Sequence, residues 1–183
     1  MEIPMRTRLA SRSARLALAA AAALALAAGA TATANAGTFT GDGGAGAAST
    51  ACDMDELNFT VSEETQAGGY LLVTAEAKSH VTCFLEGVTP SASFGSDADT
   101  QVSPAEHGPS DRVTVSGMNK AYFGVNPKSV NEDGGVQFDV LHLAVEGDEY
   151  NPVTLDLPHT VTVNKPIATN WHNDPSEAVP FAN

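Results

Sequence analysis

The chain has 183 residues and a formal charge of −13 at pH 7, from 22 acidic and only 9 basic side chains. Duplex binding needs lysine and arginine to displace condensed counterions, so this balance excludes nucleic acid as a partner. The same deficit of cations disfavours anionic lipid surfaces.

The first feature in chain order is basic and then apolar. Arg6, Arg8, Arg12 and Arg15 precede an alanine- and leucine-rich run over residues 16–28. That run is shorter than the stretch of about 20 residues that spans a bilayer core. Ala34-Asn35-Ala36 supplies the small side chains of a signal-peptidase site, with Ala30-Thr31-Ala32 and Ala32-Thr33-Ala34 as competing sites. Residues 1–36 are expected to be a cleaved secretory signal peptide of bacterial type, and the mature chain to begin at Gly37. Residues 1–36 carry a net +3, so residues 37–183 hold −16, and their only basic side chains are Lys78, Arg112, Lys120, Lys128 and Lys165. Such acidity keeps a secreted protein soluble; the sharper alternatives are a basic partner or bound divalent cations. No second apolar run has spanning length, so no membrane anchor is expected after cleavage. Leu157-Pro158-His159-Thr160 begins like a wall-sorting signal, but Val161 stands where a glycine is required, and the segment reads as strand. The expected location is extracellular.

Residues 37–51 are glycine, alanine and small polar residues with little to bury, and read as a flexible lead-in. Cys52 and Cys83 form an even pair in an oxidising compartment, which reads as one disulfide. The rival is a redox or metal pair, for which 30 intervening residues fit neither a C-x-x-C motif nor a local zinc knuckle.

From Cys52 onward the hydropathy pattern has period two. Leu57, Phe59 and Val61 alternate with Asn58 and Thr60. Gly68-Gly69 marks a turn. Residues 70–77 place Leu71, Val73, Ala75 and Ala77 on one face. Residues 81–85 carry Cys83, and residues 91–94 form a short strand. Residues 95–111, rich in Gly, Pro and Asp, read as a surface loop. Val113 and Val115 point inward from residues 112–116, and residues 119–125 set Ala121, Phe123 and Val125 opposite Tyr122. Asn131-Glu132-Asp133-Gly134-Gly135 is a strong turn signal, because Asp-Gly tolerates the positive φ of tight hairpins. Residues 136–145 are apolar on both faces, which suits a central strand or one that switches face at a bulge near residue 140. Pro158 separates residues 153–157 from 160–163 and marks an edge or a bulge. The tail, residues 166–183, contains Trp171 and little periodicity. These elements predict one all-β domain over residues 52–165, an antiparallel β-sandwich of about seven or eight strands.

The order of blocks carries a resemblance. Cys52 and Leu57 open the domain, and Gly69-Tyr70 leads a strand that ends in Thr82-Cys83-Phe84-Leu85-Glu86-Gly87-Val88 with Pro90 and Phe94 beyond. Val113-Thr114-Val115-Ser116-Gly117 and Ala121-Tyr122 follow. The region from Cys52 to Val163 resembles the actinobacterial secreted domain of unknown function numbered 4232. The resemblance implies an immunoglobulin-like sandwich and a Cys52–Cys83 bridge, and it implies no activity. Glu76 and Ala77 depart from the family's asparagine-rich segment, and its later cysteine is absent around Phe138.

No nucleophile elbow, phosphate loop or dinucleotide fingerprint occurs. Gly95-Ser96-Asp97 lacks the strand–turn–helix context of an elbow. His80, His107, His142, His159 and His172 show no local metal-ligand spacing. Acidic clusters at Asp53-x-Asp55-Glu56, Asp97-x-Asp99 and Glu146-x-Asp148-Glu149 offer the hard oxygens that calcium takes, but none reproduces a twelve-residue calcium loop, and solvated loop carboxylates are the expected reading. No catalytic residues and no cofactor are therefore expected. The reading is a secreted non-catalytic module that binds an unknown protein or envelope component. The alternatives are a secreted inhibitor or protein-interaction factor and, behind it, a hydrolase. Loops on a rigid sandwich are where recognition concentrates. The candidate binding loop is residues 95–111 with Asp97, Asp99 and His107, and the candidate tail contact is Trp171, which could instead pack on the domain.

Overall fold

The computed structural model describes residue 48 and residues 50–181. The expected signal peptide, its cleavage site and most of the lead-in fall outside them. The described part is all-β and sandwich-like, with ten strands: β1 (Leu57–Glu64), β2 (Tyr70–Ala77), β3 (Thr82–Leu85), β4 (Ser91–Ser93), β5 (Ser103–Pro104), β6 (Val113–Ser116), β7 (Ala121–Asn126), β8 (Val136–Ala144), β9 (Val153–Val163) and β10 (Ile167–Ala168). They form a five-stranded sheet in the order β1-β2-β7-β10-β5, a pair β3-β6 and a three-stranded sheet β4-β8-β9. All strand pairs are antiparallel except β10 with β5.

The period-two faces converge on one core. Leu71, Val73 and Ala75 of β2 and Ala121, Phe123 and Val125 of β7 share it with Val113 and Val115 of β6 and with Leu141 and Leu143 of β8. The Cys52–Cys83 disulfide lies inside this core, with Cα atoms 4.9 Å apart. Backbone hydrogen bonds of 2.9 Å from Cys52 N to Phe84 O and from Phe84 N to Thr50 O lay the start of the domain along β3.

β8 is the central strand of its sheet, and it switches face where the sequence suggests. Its register against β9 runs from Phe138↔Val161 to Val140↔Asp156. Residues 157–160 therefore bulge out opposite Asp139, and Pro158 sits in the interruption, where its missing N–H interrupts no ladder bond. The turn at residues 131–135 is also present, with Gly134 and Gly135 at φ 131° and 120°. It does not close a hairpin: β7 belongs to the five-stranded sheet and β8 to the three-stranded one, so the turn carries the chain between sheets.

The chain does not leave the fold at residue 165. Ile167–Ala168 inserts between β7 and β5, and Trp171 is 1 % exposed, packed edge-on against Phe123 at 4.6 Å. Residues 178 and 179 then cover Tyr70, Leu72 and Tyr122 as a second apolar cluster. A Cβ on Gly124 would collide with the Ala178 carbonyl, so this strap needs glycine on β7.

Candidate functional site

The 95–111 loop and the tail, far apart in sequence, meet in space. The loop is less free than its composition suggests. A 3-10 turn at Ala98–Thr100 buries Thr100, and Ser103 N and Ala105 N donate to Pro166 O and Ala168 O at 2.9 and 2.7 Å. Past this point Ser110 N donates to Gly87 O at 2.6 Å. Opposite it the tail runs along β7: Thr169 N reaches Gly124 O at 3.0 Å, and His172 exchanges both backbone bonds with Tyr122 at 2.8 Å. The chain then turns at Asp174, whose carboxylate accepts the Ser176 N–H and O–H at 2.9 and 2.8 Å. Those donors hold the Asp174 carboxyl below its ordinary range. The turn returns Glu177 toward His172.

Between these segments lies an open cleft of about 650 Å³ walled by Glu106, Ser110, Arg112, His172, Asn173 and Glu177. A hydrogen-bond network fixes its polar wall. His172 Nε2 lies 2.8 Å from Glu106 Oε1, and Nδ1 faces Glu177 Oε2 at 3.8 Å. The imidazole thus stands between two carboxylates, either of which can accept from the ring nitrogen that faces it. The Ser110 hydroxyl donates to Glu106 Oε2 at 3.3 Å. Asn170 is 3 % exposed and ties both segments together: its Nδ2 donates to Gly108 O at 2.8 Å and to Ser110 Oγ at 3.2 Å, while Oδ1 accepts from Thr89 Oγ1 at 2.9 Å. At the mouth Arg112 is held by a two-pronged ion pair with Glu86 at 2.9 and 2.7 Å and by the Phe84 ring, 4.4 Å below the guanidinium. Trp171 also lines the cleft, and its buried indole N–H has no hydrogen-bond partner.

This arrangement presents donors and acceptors held in fixed directions. The Ser110 and Ser176 hydroxyls are directed at Glu106 and Asp174 rather than at the imidazole, so neither forms the nucleophile–base pair of acyl-transfer sites.

The residues singled out in the sequence are dispersed. Asp97 and Asp99 are exposed and border a separate depression with Glu132, Asp133 and Lys165. His107 is exposed and lines a third depression with Ser129, Val130 and Ile167. Trp171 is in the core, so the tail contact expected there is internal: its indole faces Phe123 and is closed to a partner as a stacking surface. The Asp53 and Glu146 clusters are adjacent, because Asp148 Oδ2 accepts the Met54 N–H at 2.8 Å, and they serve as backbone caps: Glu56 accepts from Asp53 N and Glu149 from Gly147 N. Among the described residues no three His, Cys, Asp or Glu side chains stand close enough to hold a metal ion, and no helix is long and apolar enough to cross a membrane. The sequence reading missed Glu106, Asn170, Asn173 and Glu177. No local signal marked them: the tail shows little periodicity, and Ala168, Thr169, Asn170 and Trp171 are buried in succession without alternation.

No curated protein and no solved structure matches the chain. Residues 52–172, which span the bridge, the core and the cleft's central Trp171-His172, match the family described as Domain of unknown function (DUF4232), and the chain belongs to that family.

Proposed function

We propose that this chain is a secreted, non-catalytic binding module that recognises a component of the cell envelope through the cleft between Glu106 and Glu177. The observation that carries the reading is the pre-formed network of Asn170, Ser110, Glu106 and His172, which locks polar groups around an open space before any ligand arrives. Fixing such groups beforehand removes part of the ordering entropy that binding otherwise loses. Secretion is supported by the basic and apolar N-terminal pattern and by the disulfide. The non-catalytic reading is supported by the direction of the serine hydroxyls, and it invokes no cofactor. The excess of negative charge argues against nucleic acid.

Cosedimentation tests this. The purified protein should pellet with an envelope fraction of the producing cells and release no soluble fragments from it on prolonged incubation. Protein left in the supernatant counts against binding, and turnover of the envelope counts against the non-catalytic reading.

A further inference from the structure

The cleft does not end at Arg112. A second depression of about 460 Å³, lined by Thr114, Asn119, Lys120 and Tyr122, shares Arg112, Val113 and Asn173 with it. The two therefore adjoin as one trough, and exposed Asn173 lines both. We infer that this trough binds an extended, uncharged oligosaccharide, an inference that rests on the binding reading of the cleft.

Three properties point to that ligand class. The first is extent: two adjoining depressions that share Arg112, Val113 and Asn173 suit a chain of repeating units better than one compact molecule. The second is charge. The two cations of the trough are already neutralised, Arg112 by Glu86 at 2.7 Å and Lys120 by Glu76 at 2.5 Å, while Asp111 and Glu177 remain exposed carboxylates. A polyanionic chain would be repelled. The third is the lining: carboxylate, amide, imidazole and hydroxyl groups along its length match hydroxyls that both donate and accept. Phe181, 67 % exposed, lines the first depression and can meet the C–H face of a sugar ring.

The test is a ¹⁵N-resolved titration of the whole protein with neutral tetrasaccharides built from glucose, mannose, galactose, arabinose and N-acetylglucosamine, with tetragalacturonate and an uncharged tetrapeptide as comparators. At least one neutral tetrasaccharide should shift the side-chain amides of Asn119 and Asn173 together with the backbone of His172. Asn173→Ala should weaken that binding about tenfold, the loss of roughly one good polar contact, with an unchanged melting temperature. Binding of tetragalacturonate or the peptide alone overturns the inference. If none of the neutral sugars shifts these signals while solubilised envelope does, the ligand class is wrong and the binding reading stands. If the envelope shifts nothing either, both fall.

Discussion

Trp171→Ala separates a structural tail from a recognition tail. The indole is 1 % exposed and meets Phe123 edge-on at 4.6 Å and 74°. Truncating a buried Trp costs about 3–5 kcal/mol through lost transfer energy and the cavity left behind. That range already contains the aromatic pair, worth about 0.5–1.5 kcal/mol. One feature works the other way. The indole N–H is buried without a partner, a native burden of about 1–3 kcal/mol that the substitution removes. The expected loss therefore lies at the low end, about 3 kcal/mol. For a domain of this size that is about 10 °C in melting temperature. Thermal unfolding followed by far-ultraviolet circular dichroism measures it, since the variant lacks the chain's only tryptophan as a fluorescence probe. Tyr150→Ala, at a fully exposed ring, is the control and should leave the transition in place. A Trp171→Ala protein melting within about 2 °C of wild type would refute the claim that residues beyond 165 complete the core.

Three further outcomes follow from the same packing. Cys83→Ser removes the Cys52 bridge and should lower stability by about 2–5 kcal/mol, measured by urea unfolding; a reduced wild type as stable as the oxidised one would count against it. Gly124→Ala drives a methyl into the Ala178 carbonyl and should cost about 1–3 kcal/mol while making residues 174–180 susceptible to limited proteolysis; unchanged protection would mean that the strap is not seated on β7. Stability should fall at both pH extremes: the Asp174 carboxyl, held low by Ser176, contributes above its unfolded value of about 3.9 and loses that contribution as pH drops through its folded value, while the Tyr70 hydroxyl, raised by burial and then by Glu64, contributes below about pH 10 and loses it as pH rises through its folded value. Tyr70→Phe should flatten the alkaline limb of a melting-temperature profile; an identical limb would remove Tyr70 as its source.

What was legible in the sequence was what neighbouring residues decide. Alternation placed Leu71, Val73 and Ala75 inward, the doubly apolar β8 announced its change of face, and Pro158 marked the interruption in β9. The turn at Asp133-Gly134 was equally plain, yet its destination was not, because which sheet receives the next strand depends on long-range pairing. β10 is two residues long and too short to show a period, so the tail read as an appendage although tertiary packing buries Trp171 completely. The cleft was the least legible. Glu106 and His172 are separated by 66 positions, and each looks like an ordinary surface residue until the parallel pairing of β5 with β10 brings their segments together.

The central claim is that the loop and the tail together form the recognition surface. It is tested most directly by retention of folded variants on the envelope fraction. Asn173→Arg and Glu177→Arg alter the cleft, and Asp97→Lys and Asp99→Lys alter the separate acidic depression; all four positions are exposed. The account predicts that the two cleft variants lose retention about tenfold or more, equivalent to about 1.4 kcal/mol each, while the two aspartate variants bind as wild type. Loss confined to the aspartate variants, or equal retention of all four, would contradict it.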